Sequence, residues 1–276
     1  MLELVKRTVF GLLYIAVLVA VCLFWPDGMP LLLSLAAYIL YHEFYGITLG
    51  SSMRACRILV FIGTVAVCWM FWLTRQGKLE DFWFAPAFLP FALLPFVHLL
   101  GRDRHDLSKY AWLGGGALYI GLPIAVAPIM IVRGDVYDGL TLLCCFILIW
   151  SADVGAYCLG TLLGQKPDSR KLAPSISPKK SWWGVAGGII LSLAAGFVLW
   201  FFKWLEMPIW HVLILSFIIC ACSIAGDLFE SALKRMFGVK DSGNLIPGHG
   251  GLLDRLDSAL LALPVAAVYL ISFHLI

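Results

Sequence analysis

Apolar residues run through this chain in stretches of roughly twenty, each closed by a short polar break. Coiled at ~1.5 Å per residue, a stretch of that length crosses the ~30 Å hydrocarbon core of a bilayer. In chain order the pattern predicts nine spans, over about 8–25, 29–46, 58–72, 82–100, 110–132, 140–163, 182–204, 209–229 and 258–276. The first follows a short amphipathic start with Lys6 and Arg7 and ends at Pro26-Asp27-Gly28. Its flanks resemble those of a signal peptide, but no small-residue cleavage site follows, so it is read as a retained helix. Pro86, Pro90 and Pro95 kink the fourth, which membrane helices tolerate. The short alternating segments of a β-barrel are absent from the sequence. The predicted fold class is all-α, a polytopic transmembrane helical protein.

Composition agrees with that pattern. Of 276 residues, 61% are hydrophobic and 13% charged, and mean hydropathy is +0.91. Soluble domains carry about 25% charged residues. The net charge of +3 says little, but its placement says more. With the N-terminus in the cytoplasm, 16 of the 20 Lys and Arg fall in inside segments, leaving Arg75, Lys78, Arg133 and Lys203 outside. The positive-inside rule predicts this asymmetry, and losing one span midway would scramble it. The two richest polar loops, 164–181 and 230–257, then both face the cytoplasm. No internal repeat or low-complexity linker stands out, so residues 1–276 read as one integral membrane domain, with N-terminal helices over 1–109 and the site-bearing helices over 110–276. The eight cysteines lie mostly inside apolar runs without zinc-ligand spacing, as small buried residues do.

The polar residues inside or beside these spans carry the chemistry. Glu43 follows His42 near the inner end of the second span, where reaching the membrane interface accounts for it. Asp153 lies within the sixth, one turn before Tyr157. A carboxylate in lipid is costly and is paired, functional, or part of a hydrogen bond between helices. Lys179 and Lys180 precede the seventh span, as topology markers or as anion contacts. Ser223, Asp227, Glu230, Ser231 and Lys234 fall at i, i+4, i+7, i+8 and i+11, one face of the eighth helix. Asp254, Asp257 and Ser258 share a face at the start of the ninth. Two carboxylate faces joined by a glycine-rich loop can converge on a hard cation, and oxygen ligands favour Mg²⁺ over zinc. The alternative is a solvated loop with ordinary salt bridges. No GxxxxGK[ST] loop is present, and Gly114-Gly115-Gly116 lacks the strand–helix setting of a dinucleotide fingerprint. The pattern suits a phosphate-handling site at a membrane surface with a lipid acceptor, and no nucleic acid as partner.

The stretch from Ser231 to Asp257 resembles the signature of the phosphatidate cytidylyltransferases, S-x-x-K-R, four residues, K-D, then P-x-H-G-G-x-x-D-R-x-D. It is complete here as Ser231, Lys234, Arg235, Lys240, Asp241, Pro247, His249, Gly250, Gly251, Asp254, Arg255 and Asp257. SIAGDLFES, containing Asp227, is also similar, and WSADVGAY at 150–157, SPKKSWWG at 177–184 and YIGLP at 119–123 are weaker echoes. The first hundred residues match mainly by hydropathy. The resemblance implies transfer of CMP from CTP to phosphatidate, releasing pyrophosphate. It implies Mg²⁺, admits K⁺ beside it and a homodimer, and implies a bacterial-type inner membrane with the site facing the cytoplasm. By the same resemblance Asp227 and Asp254 are metal ligands, with Asp257 beside them, and Lys234, Lys240 and Asp241 belong to the catalytic set. Lys179, Lys180, Ser231, Arg235, Arg255 and Asp153 are implied substrate contacts. His249 either shapes the loop or touches pyrophosphate.

Two positions depart from the family. It carries Glu at the place of Trp183 and Ser or Thr at the place of Val154, so no substrate contact is assigned to either. Two other classes stand beside this one. A CDP-alcohol phosphatidyltransferase needs D-G-x-x-A-R, which the chain lacks, and a lipid kinase would use similar metals. An ion-coupled transporter would favour polar residues near the midplane and an internal repeat.

Overall fold

The computed structural model describes residues 2–101, 105–133, 136–243 and 250–276, with side chains from Gly11 onward except those of Asp81 and Arg133. The order is α1 (Leu2–Phe24), α2 (Gly28–Leu49), α3 (Arg54–Arg75), a 3-10 turn at Asp81–Trp83, α4 (Phe84–Ala87) and α5 (Leu89–Leu100). Then come α6 (Leu107–Gly116), a π turn at Ala117–Gly121, α7 (Leu122–Val126) and a 3-10 turn at Ala127–Met130. A hairpin of β1 (Val132–Arg133) and β2 (Val136–Tyr137) leads to α8 (Gly139–Leu162). A second hairpin, β3 (Lys171–Ala173) with β4 (Ser177–Ser181), precedes α9 (Trp182–Phe201), α10 (Ile209–Met236) and α11 (Leu253–Ser272).

Among the described residues, seven helical stretches are long and apolar enough to cross a membrane: Gly28–Leu49, Arg54–Arg75, Leu107–Met130, Gly139–Leu162, Trp182–Phe201, Ile209–Met236 and Leu253–Ser272. The other two expected spans fall on α1, whose described side chains, Gly11–Phe24, are apolar, and on the apolar helical stretch Phe84–Leu100. The second of these is broken at Phe88, between α4 and α5. The cause is the expected one, since Pro86 and Pro90 lack the N–H that a continuous helix would use. The polar loop 164–181 holds the β3–β4 hairpin, which the sequence pattern did not announce because Pro174 and Pro178 speak against a strand.

The chain forms two compact units, Met1–Gly139 with Asp241–Arg255, and Leu140–Lys240 with Leu256–Ile276. In the first, α2 is buried on more than one side. Tyr41 and Tyr45, one turn apart, stack at 5.3 Å with ring planes 9° apart. The Tyr41 hydroxyl shares a hydrogen bond with Thr64 Oγ1 of α3 (2.7 Å), and Tyr45 donates to the Leu113 carbonyl of α6 (3.0 Å). Gly116 and Gly121 lie against these phenols, where any side chain would collide. These contacts fix the rotation of α2 about its axis, and with it the direction of Glu43 two residues from either tyrosine.

In the second unit, helices close on one another through small residues, as helices in lipid do. Gly155 of α8 and Gly187 of α9 each sit on the other's carbonyl, and Gly160 faces Gly184. Ser192 of α9 donates to the Ser216 carbonyl of α10 (3.0 Å), and Gly196 packs on the Ser216 side chain. Gly226 of α10 rests on the carbonyl of Asp257 in α11. At the other end His211 Nδ1 and the Tyr269 hydroxyl share a hydrogen bond of 2.7 Å.

Replacing Gly187 by Val puts methyl groups where the Gly155 carbonyl and Leu159 Cβ already stand. The expected cost is about 1–3 kcal/mol. Thermal aggregation followed by fluorescence-detected size exclusion should show a lowered midpoint, whereas Ile190→Val on the exposed side of α9 should leave it unchanged.

Candidate active site

The second unit gathers the charged face of α10. Ser223 is fully buried with no hydrogen-bond partner for its hydroxyl, Asp227 is half-buried, and Glu230 is 1% exposed. Ser231 Oγ donates to Asp227 Oδ1 (3.3 Å) one turn back. Lys234 Nζ pairs with Glu230 Oε2 at 2.5 Å. The face read from the i, i+4, i+7, i+8, i+11 spacing is therefore the one the fold uses.

Lys180 reaches this face from the hairpin. Successive side chains on a strand point to opposite sides. On β4, Lys180 is thus directed to Asp227, with Nζ 2.7 Å from Oδ2, while its neighbour Lys179 is exposed. The hairpin is tied down locally. Lys171 Nζ donates to the Gly164 carbonyl (2.8 Å) and Gln165 Oε1 (3.1 Å), and Gln165 Nε2 donates to the carbonyls of Lys179 (2.8 Å) and Gly160 (3.1 Å). Ser181 ends β4 and caps α9, its hydroxyl accepting from Gly184 N at 3.2 Å. Asp257, brought close to α10 by the Gly226 contact, lies within electrostatic reach of Asp227, Asp153 and Lys180. Its Oδ1 accepts from the Ser258 amide (2.6 Å). Asp153 is exposed on α8 and senses both Asp227 and Lys180. Three carboxylates and one ammonium form this cluster.

The first unit holds Asp241, Gly250, Gly251, Asp254 and Arg255 of the signature, and here the structure departs from expectation. Glu43 does not reach an interface. It is 6% exposed, while neighbouring His42 is the exposed one. Its carboxylate meets the start of α11, more than two hundred residues along the chain. Oε1 accepts from Leu252 N (3.0 Å) and Oε2 from Leu253 N (2.8 Å), with the Ser242 hydroxyl 3.3 Å from Oε2. These are N–H groups that a helix leaves unpaired at its N-terminus, where the helix dipole also favours an anion. Hydrogen bonds to a charged group are worth about 1.5–3 kcal/mol each. Asp254 completes the arrangement, its Oδ2 accepting from Ser242 N (2.9 Å), Ser242 Oγ (2.8 Å) and Gly251 N (2.8 Å). Gly250 adopts φ +81°, which a side chain resists, and a Cβ there would also meet Asp254 Oδ2. At Gly251 a Cβ would meet both Ser242 Oγ and the Glu43 carboxylate.

The sequence-derived candidates thus fall into distinct settings. Asp227, Ser231, Lys180, Asp257 and Asp153 meet in the second unit, and Lys234 joins Glu230 on the same helix. Asp254 organises the loop of the first unit. Arg235, Lys240, Asp241, Arg255 and Lys179 are exposed, and His249 lies outside the described residues. Trp183, Val154 and Tyr157 are also exposed. Glu43 and Ser242 went unassigned in the sequence reading. The signal for Glu43 was a lone carboxylate among Tyr41, Phe44 and Tyr45, which in lipid needs donors from somewhere.

Among the described residues no three His, Cys, Asp or Glu side chains close into a metal cage. Mg²⁺ does not require one, because it is commonly held by one or two carboxylates, with water and substrate phosphates completing the shell. Hard carboxylate oxygens on Asp227 and Asp257, beside the unpartnered Ser223 hydroxyl, fit that manner of binding.

Comparison with known proteins points one way. The family described as the cytidylyltransferase family matches residues 5–273. A phosphatidate cytidylyltransferase of Staphylococcus haemolyticus is 38% identical over 185 residues, 67% of each chain. One of Bacillus subtilis is 34% identical over 223 residues, 77% of this chain and 79% of its own. One of Haemophilus influenzae is 50% identical over 135 residues, 47% of this chain and 46% of its own.

Lys234→Met removes the ammonium beside a Glu230 that is 1% exposed. Breaking one partner of a buried pair costs about 3–5 kcal/mol. The variant should melt well below wild type in size-exclusion thermal scans, and Glu230→Gln in the same chain should restore part of that loss. A variant with wild-type melting would make the pair dispensable to the fold.

Proposed function

This chain belongs to the cytidylyltransferase family, and we propose that it transfers CMP from CTP to phosphatidate, giving CDP-diacylglycerol and pyrophosphate. The observation that carries the reading is the pair formed by Lys180 and Asp227 amid Asp257 and Asp153. An ammonium and several carboxylates at one helix end offer a phosphate an attractive contact and a hard cation its ligands.

The reaction needs little covalent help from the protein. An oxygen of the phosphatidate monoester, already ionised near neutral pH, attacks the α-phosphorus of CTP. The new P–O bond forms as the bond to the β-phosphate oxygen breaks, and pyrophosphate leaves with that electron pair. No general base is required. What the protein supplies is position and positive charge. An incoming phosphate competes for Lys180 and releases Asp227 oxygens for a cation. In this reading Asp227 and Asp257 are the carboxylates available to Mg²⁺, with K⁺ as a companion ion, and Asp254 stays a metal ligand on the resemblance alone. Bound there, Mg²⁺ would neutralise phosphate oxygens. Arg235 and Lys240, both exposed, and Arg255 are the proposed further phosphate contacts, and Lys179, Ser231, Asp241 and His249 stay in the substrate set.

The same proposal takes the two shorter apolar helices as crossings, making nine with the N-terminus and the polar loops in the cytoplasm of a bacterial-type inner membrane. The 16-to-4 partition of Lys and Arg supports it. A homodimer is proposed on the resemblance alone.

Purified protein given [α-³²P]CTP, phosphatidate and Mg²⁺ should form a labelled lipid and one pyrophosphate per lipid made, and chelation should stop both. Asp227→Ala should lower the rate by at least ~100-fold while the protein still elutes as wild type in size exclusion. Full activity in that variant would remove Asp227 from the site.

A further inference from the structure

We propose that Glu43 is a positioning residue for the transfer reaction, setting the segments 241–243 and 250–255 by anchoring the amides that open α11. The inference rests on the cytidylyltransferase reading for its kinetic part. These segments carry Asp241, Gly250, Gly251, Asp254 and Arg255 of the signature, and Gly243, Gly250 and Gly251 leave their own backbone many conformations. What selects one of them is a carboxylate from α2. Its two oxygens take the N–H groups of Leu252 and Leu253, and it lies 3.3 Å from the Ser242 hydroxyl. That hydroxyl in turn donates to Asp254 Oδ2, so Glu43, Ser242 and Asp254 form one continuous polar chain.

Three further observations support a set geometry. Gly243 and Gly251 press their α-carbons against the carboxylate, where a Cβ would collide with it. The carboxylate is nearly sealed from solvent. The helix that presents it is itself locked by the Tyr41–Thr64 and Tyr45–Leu113 hydrogen bonds. A displacement of Glu43 therefore passes to the backbone at 251–254 and to the carboxylate of Asp254. The N-terminal helices, which resemble the family mainly by hydropathy, would thus contribute a specific group to the catalytic apparatus.

The test compares wild type, Glu43→Gln and Ser242→Ala in the CTP-dependent lipid-labelling assay, normalised to folded protein by size exclusion, with hydrogen exchange followed at amides 251–254. Glu43→Gln keeps the side chain's size but turns an NH₂ toward a backbone donor. We expect faster exchange at Leu252 and Leu253 and a kcat lowered about 10- to 100-fold, as for residues that orient reacting groups, with KM for CTP changed less than threefold. Ser242→Ala, which spares the anchor but cuts the link to Asp254, should lower kcat in the same direction without speeding exchange at Leu252. Faster exchange with wild-type kcat and KM per folded molecule would make Glu43 merely structural and overturn the inference. Unchanged exchange in Glu43→Gln would overturn it too, since the anchor would not be holding the loop. Wild-type protein that makes no labelled lipid would instead sink the cytidylyltransferase reading, whatever the exchange data show.

Discussion

A carboxylate enclosed by helices in an apolar medium persists only where donors meet its oxygens. Glu43 meets that constraint with the two backbone amides that α11 cannot satisfy for itself. Each side of the contact solves the other's problem. The acid gains donors, the helix start gains acceptors, and the dipole of α11 adds to the attraction. The rest of the first unit follows from keeping that acid in place: stacked tyrosines hold α2, glycines at 116 and 121 make room for their rings, and Ser242 extends the contact to Asp254.

The second unit meets a related constraint differently. On α10 its carboxylates are paired with ammonium groups: Asp227 with Lys180, Glu230 with Lys234. Distances among them are set by close backbone approach at glycines, Gly226 against the Asp257 carbonyl and Gly155 against Gly187. Backbone contacts vary less than side-chain rotamers do, so the spacing of this cluster is set more tightly than its side chains alone would set it.

Much of this was legible in the sequence because it is local. The charged face of α10 is a spacing along one helix, and the placement of Asp254 in the first turn of α11 follows from where the apolar run begins. The prolines that break the helix at Phe88 act on their own neighbours. Glu43 was misread because its partners lie more than two hundred residues away, beyond any periodicity a window can detect. The β3–β4 hairpin was missed because Pro174 and Pro178 obscure the alternation, although that alternation decides which of two adjacent lysines meets Asp227. The runs at 8–25 and 82–100 were legible as apolar helices, the first lying within α1 and the second divided at Phe88.

The length of α10 has a consequence of its own. At 28 residues it is about 42 Å long, against roughly 30 Å of hydrocarbon. Its acidic and basic side chains, Asp227, Glu230, Lys234 and Arg235, are confined to the last three turns, so the surplus of about 12 Å falls at that end. One continuous helix thereby joins an apolar stretch close to the thickness of a hydrocarbon core to a charged end that lies beyond that stretch.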